Sequence, residues 1–316
     1  MNLKNLHEQE IRLVYGHVLN ELIEKNPNVF CLEADLSKAS GTNPIVLNAH
    51  PKNFINIGVA EANMIGVAAG LASDGKIPFC ATFCCFATRR VYDQITISVA
   101  YANNNVKIIG TGPGITQGPN GGTHMCFQDI AIMRAMPNMR IFSPCDAYEV
   151  RSVLHYMAEN YGGMYMQLLR QQLPAVFDEH YQFQPGKARK LRDGNDVTLV
   201  STGYMTHFAL KVADELAKEG VGVDLLHCPS IKPFPEDDLI ESVRKTNAAV
   251  TVENQNMIGG LGGAVCETLS ERYPVRVKRL GVPDRFGEIA TEEYLFEKHG
   301  FGMEHIKQSC RELAKK

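Results

Sequence analysis

The sequence predicts an α/β protein made of two parallel-sheet domains, and three observations carry that expectation. Short β-rich runs alternate with longer helical patterns from end to end, which is how parallel strands covered by helices read in sequence. That alternation breaks once, around Phe177 to Asn195, where DEHYQFQPGKARKLRDGN loses periodicity and gains charge, Pro and Gly, as an interdomain linker does. The 316 residues are enough for two ordinary domains, each burying a core of its own.

Taken in order, the opening stretch MNLKNLHEQEIRLVYGHVL mixes charged and apolar residues at helical spacing, and a helix is expected over about Glu8 to Lys25. Strands follow at Val29 to Glu33 and Phe54 to Ile57, then a helix opening near Glu61, then strands near Ile77, Val106, Arg140 and Met164. The first domain is placed at residues 1–178 and the linker at 179–194. A smaller second domain, residues 195–316, shows four strand-like runs, DVTLVSTG, GVDLLHC, AAVTVEN and VRVKRLG. Helical stretches beginning near Thr206, Glu236 and Leu261 separate them. No short-period repeat or low-complexity segment interrupts the pattern.

The formal charge of −3 is interspersed, with no block that reads as a nucleic-acid arm or a membrane-surface patch. Small-molecule or protein partners are expected instead. The N-terminal stretch lacks the apolar core of a signal peptide, and no apolar run is long enough to span a bilayer. Nine cysteines, among them Cys80, Cys84 and Cys85, sit mostly in apolar segments and read as buried reduced thiols, which points to a cytoplasmic address.

Four segments offer chemistry. In Ile57-Gly58-Val59-Ala60-Glu61-Ala62-Asn63-Met64 a strand end, a glycine turn and a carboxylate at the start of an apolar helix place Glu61 at the carboxyl edge of a parallel sheet. Open α/β folds bind ligands at that edge, although a first-turn glutamate also complements the helix dipole. In ATFCCFATRRVYDQ, Phe83 and Phe86 are three apart and would share a helical face, as a platform for a flat heteroaromatic ring or as core packing. The loop Gly110 to Asp129, GTGPGITQGPNGGTHMCFQD, is long and rich in Gly and Pro, and His124 near its end could bond a hydroxyl, exchange a proton or be structural. Its glycines do not spell a dinucleotide fingerprint. Finally, Gly259-Gly260-Leu261-Gly262-Gly263 could cradle an anion at a helix start or serve close packing.

In this order the segments resemble the C-terminal half of transketolases over nearly the whole chain. GVAEANMIGVAAGLA is similar to the family's catalytic-glutamate segment, and ATFCCFATRRVYDQI to the aromatic segment that packs on the aminopyrimidine of thiamine diphosphate. GPNGGTHMCFQDIAIMRAMPNMRIFSPCDAYE is similar to the substrate-loop signature, while ENQNMIGGLGGAV and LGVPDRFGE resemble the C-terminal domain. The resemblance implies a pyrimidine-binding thiamine-diphosphate fold followed by a smaller transketolase C-terminal domain. By the same resemblance, Glu61 activates the cofactor in dry surroundings that Ile57, Met64 and Ile65 could supply, and Phe86 with Phe83 forms the aromatic wall. Asp35 and Gly58 face the cofactor. Arg12 and Arg170 grip the sugar's anionic group, and His124 and Asn120 meet its hydroxyls. A two-carbon ketol unit then passes from a ketose to an aldose, the cofactor doing the hard step.

The sequence contains no Gly-Asp-Gly, the motif that with a later asparagine holds Mg2+ and the diphosphate in the family. The resemblance therefore implies a separate N-terminal subunit carrying the diphosphate-binding domain, self-association of the α2β2 kind, and no metal ligands in this chain. Three positions depart from ordinary sugar-phosphate transketolases: Gly112 for a phosphate-contacting histidine, Asn120 for an aspartate that reads hydroxyl stereochemistry, and Ala39 for a serine that helps hold phosphate. They direct the expected donor toward a non-standard anionic ketose, a sulfofructose or a branched sugar phosphate. Other readings are the β subunit of a 2-oxo-acid dehydrogenase, a 1-deoxyxylulose-phosphate synthase fragment, and a non-catalytic dimerisation or regulatory subunit. The GGTH loop and Arg170 speak against the first, and a scaffold has no need of a buried carboxylate.

Overall fold

The computed structural model describes residues 3, 5–7 and 9–314 and divides into two compact units. The first comprises Met1–Pro113 with Ile132–Phe183, the second Gly114–Ala131 with Gln184–Lys316. Glu8, where the sequence places the start of the first helix, lies outside the described residues.

In the first unit the chain runs through α1 (Ile11–Lys25), β1 (Val29–Glu33), α2 (Ser37–Ser40), α3 (Ile45–Ala49), β2 (Phe54–Asn56), α4 (Glu61–Ser73) and β3 (Ile77–Phe83). It continues with α5 (Cys84–Ala87), a 3-10 turn at Arg89–Val91, α6 (Tyr92–Gln94), a π-helical turn at Ile95–Tyr101 and β4 (Lys107–Thr111). After α7 (Asp129–Ala135) come β5 (Arg140–Phe142), α8 (Ala147–Glu159) and β6 (Met164–Leu168). The strands order as β5-β6-β4-β3-β1-β2, and every pairing among them is parallel. β4 and β6 are buried at every residue, as strands covered by helices on both faces must be. Because β2 lies on one side of β1 and β3 on the other, the winding reverses between β1 and β3. The carboxyl ends of those two strands therefore open a crevice of the kind in which such sheets bind ligands.

The second unit contains β7 (Arg189–Arg192), β8 (Val197–Ser201), α9 (Met205–Lys218), β9 (Val223–His227), β10 (Ser230–Lys232), α10 (Glu236–Thr246), β11 (Ala248–Asn256), α11 (Leu261–Arg272), β12 (Arg276–Val282), α12 (Glu292–His299) and α13 (Met303–Ala314). Its sheet runs β12-β11-β8-β9-β7, parallel except for β7, which pairs antiparallel with β9. The architecture is thus the two mostly parallel α/β sheets that the sequence pattern predicts.

Two segments differ from the sequence reading. The stretch read as linker, 179–194, contains β7, whose Arg-Lys-Leu-Arg pattern alternates half-buried and exposed side chains. Charge on an edge strand blunts further pairing, and in sequence it looks like a solvated connector. The glycine-rich segment 114–131, read as part of the first domain, belongs to the second unit because Ile115, Met125 and Phe127 are buried in that unit's core with Leu295 and Phe296. The tandem glycines at the start of α11 do cradle an anion, but an internal one. Both oxygens of the buried Glu253 carboxylate accept backbone N–H groups, from Leu261 at 2.8 Å and Gly262 at 2.8 Å. A Cβ on Gly260 would stand 1.9 Å from that carboxylate, so close approach and anion binding are one requirement here.

Candidate active site

The crevice of the first unit is built from the ends of β1, β2 and β3. Asn56 closes β2, and its side chain ties two turns together: Oδ1 accepts the N–H of Asp35 at 3.0 Å and of Gly58 at 3.1 Å, and Nδ2 donates to Asp35 Oδ1 at 3.3 Å. Asp35 is held at φ +59°, a left-handed conformation in which short polar side chains are over-represented. The chain then turns at Gly58 and enters α4, whose first residue is Glu61. That side chain is only 4 % exposed, and its neighbours Met64 and Ile65 are buried while Ile57 is half-buried.

Phe83 is the last residue of β3 and Phe86 lies in α5, so the two meet across a strand-to-helix junction and not on one helical face as their spacing suggests. Their ring centroids are 6.0 Å apart with planes tilted by 50°. Arg90, in the 3-10 turn that follows, lays its guanidinium over Phe86, with Cζ 3.9 Å from the ring centroid. The same guanidinium reaches Glu61: Nη1 donates to Oε1 and to Oε2 at 2.9 Å each. A flat cationic group with N–H donors therefore fits between this carboxylate and this ring.

Arg12 and Arg170 are brought side by side by an antiparallel bridge. Ile11 N–H donates to the Gln171 carbonyl at 3.1 Å, and Glu10 pairs with Gln172. Arg12 Nε donates to Glu10 at 2.7 Å, whereas the buried Nε of Arg170 has no partner among the described residues. Burial, and secondarily the Arg12 charge, lower the pKa of Arg170, and its Cζ stands 5.7 Å from the Phe83 ring. Two adjacent cations with an unsatisfied buried donor constitute a local demand for an anion.

Asn120 and His124 lie in the second unit. Asn120 Nδ2 donates to Gln117 Oε1 at 2.8 Å, and the His124 Nδ1 is 2.9 Å from the Thr123 hydroxyl. Gly112 adopts φ +65°, a conformation in which any residue with a side chain would be strained. Ala39 lies in α2.

Three residues escaped the sequence reading. Asn56 and Arg90 reach partners 21 and 29 positions away, which no local pattern reveals. Glu33, at the end of β1, is fully buried. Its Oε1 accepts the hydroxyls of Ser40 at 2.5 Å and Thr42 at 2.6 Å, while Oε2 has no partner among the described residues. Burial pushes its pKa up to about 8, although the two hydroxyl donors pull the other way.

Comparison with known proteins shows what this arrangement belongs to. Residues 7–175 match the transketolase pyrimidine-binding domain, and residues 186–306 match the transketolase C-terminal domain. The chain belongs to the transketolase family. It is a transketolase subunit, from a family that depends on thiamine diphosphate. It is 44 % identical over 98 % of its length to the 6-deoxy-6-sulfo-D-fructose transketolase subunit SqwH of Clostridium sp. (strain MSTE9), covering 96 % of that protein. It is 32 % identical to an apulose-4-phosphate transketolase subunit of Phocaeicola vulgatus, over 96 % of this chain and 97 % of that one. Among solved structures, a split-gene transketolase described as an inactive β4 tetramer superposes with a TM-score of 0.88 at 39 % identity, over 97 % of this chain and 98 % of that chain. No helix among the described residues of this transketolase subunit is long and apolar enough to cross a membrane.

Proposed function

We propose that this subunit carries the cofactor-activating glutamate of a split, cytoplasmic transketolase and works only beside a second subunit that holds the diphosphate-binding domain. The observation that carries the reading is the buried Glu61 carboxylate and the Phe86 ring, both within reach of one guanidinium, that of Arg90, at the crevice where the sheet's winding reverses. Thiamine diphosphate, when bound, supplies the carbon nucleophile that takes a two-carbon unit from a ketose and passes it to an aldose.

Within this chain, Glu61 hydrogen-bonds a ring nitrogen of the pyrimidine and moves a proton at that atom, from a carboxylate that is nearly sealed from solvent. Phe86 and Phe83 stack on the ring, and Asp35 and Gly58 line the cofactor. Arg12 and Arg170 hold the anionic end of the donor through charge-assisted hydrogen bonds. With no Gly-Asp-Gly motif in the sequence, Mg2+ and the diphosphate take their ligands from the partner, in an α2β2 assembly.

The donor is an anionic ketose other than the usual pentose or hexose phosphates, and a 6-deoxy-6-sulfo-ketose suits best. Two supports converge: the relative named for sulfofructose, and the replacement of three polar family residues by Gly112, Ala39 and Asn120. Reconstitution with the diphosphate-binding subunit, followed by a screen of 6-deoxy-6-sulfofructose, fructose 6-phosphate and xylulose 5-phosphate, tests this. The sulfonated donor is expected to have the highest specificity constant, and an equal or higher value for xylulose 5-phosphate would refute the assignment. In the same assembly Glu61→Gln should cut turnover by about a hundredfold or more, the usual weight of acid-base catalysis. Turnover at the parent rate would remove Glu61 from the mechanism.

A further inference from the structure

Arg90 competes for the surfaces that the proposed function assigns to the pyrimidine. One Nη1 engages both oxygens of Glu61, and the guanidinium plane covers Phe86. A planar, nitrogen-bearing ring that stacks on Phe86 and hydrogen-bonds Glu61 needs the same carboxylate. The two partners of this ion pair differ in exposure. The Glu61 side chain is nearly sealed, whereas that of Arg90 is 45 % exposed.

We propose that Arg90 is a displaceable stand-in for the cofactor's pyrimidine. It neutralises Glu61 and covers Phe86, so that a buried carboxylate is not left uncompensated. It leaves when the ring arrives. The inference rests on the assignment of Glu61 and Phe86 to the pyrimidine. The side chain thus lowers cofactor affinity, because binding must first break the ion pair.

The test is calorimetric titration of thiamine diphosphate, with Mg2+ present, into the assembly reconstituted with the diphosphate-binding subunit. Arg90→Met keeps length and apolar contact but removes the charge and the donors. Arg90→Lys keeps a cation that cannot lie flat on Phe86. With one partner nearly half exposed and screened, Arg90→Met should tighten cofactor binding by about five- to tenfold, and Arg90→Lys should fall between it and the parent. Isolated Arg90→Met should also melt at a lower temperature than the parent chain, since Glu61 then lacks its counter-ion. An unchanged or weaker Kd in Arg90→Met overturns the proposal. Should that variant not fold, an unchanged or weaker Kd in Arg90→Lys does so. Glu61→Gln, assayed for turnover in the same reconstituted assembly, separates the two levels: if it slows turnover while Arg90→Met leaves Kd unmoved, only the stand-in role fails. If Glu61→Gln turns over like the parent, the underlying assignment fails with it.

Discussion

Replacing Glu33 by Gln should flatten the dependence of this protein's stability on pH. In the folded chain Glu33 is sealed from solvent and holds its proton up to about pH 8, against an ordinary carboxylate value of 4.5. The sign follows from proton counting. Between those two values the folded state binds one more proton at this site than the unfolded state, so stability is highest below the lower value and falls as pH rises through the window. Over three and a half pH units, at about 1.4 kcal/mol each, the loss is on the order of 5 kcal/mol. Glu33→Gln keeps an acceptor for the hydroxyls of Ser40 and Thr42 and carries no titrating proton. Urea unfolding of both proteins at pH 5, 6, 7, 8 and 9 measures the effect. The midpoint of the parent should fall relative to Glu33→Gln from pH 5 to pH 8 and run parallel above it. Parallel curves throughout would refute the reasoning, because they would mean that Glu33 ionises normally in the folded chain.

Two further outcomes are expected. Arg170→Ala removes one of two adjacent cations together with its unsatisfied buried donor, so kcat/KM for an anionic donor should drop by about ten- to a hundredfold. Most of the change should lie in KM, and steady-state kinetics on the reconstituted assembly would show it. Glu253→Ala leaves the Leu261 and Gly262 N–H groups without their buried acceptor, and should lower unfolding free energy by about 2–4 kcal/mol in urea titration.

What the sequence revealed and what it concealed divides along physical lines. The strand Val29–Glu33 and the helix opening at Glu61 were readable because their signals are local: an apolar run bounded by turns, and a carboxylate after a glycine. The same holds for β8, β9 and β11, each a short apolar run. β7 was not readable, since an edge strand with charge on its open side has the composition of a connector. The membership of segment 114–131 depends on three apolar side chains finding a core built from residues beyond 195, which glycine and proline content does not announce. Glu61, Phe83 and Phe86 were singled out through the family resemblance, because type and spacing alone fit a helix-dipole acid and core packing equally well. Arg90 reads in sequence as one more surface charge in a Thr-Arg-Arg run. Glu33 reads as an ordinary strand-end acid until its burial is seen.

The excursion of residues 114–131 bears on how this gene could be cut. The chain crosses from one unit to the other at Pro113, returns at Ile132 and crosses again after Phe183. A fragment beginning at the charged stretch near residue 184 would inherit all five strands of the second sheet and yet lack Ile115, Met125 and Phe127, which fill that unit's interior. Such a fragment is a domain by contour and a truncation by content. A break at the apparent linker would therefore separate a lid from its vessel, and recombination among relatives that exchanges the C-terminal portion alone would mismatch three interior side chains with their new surroundings.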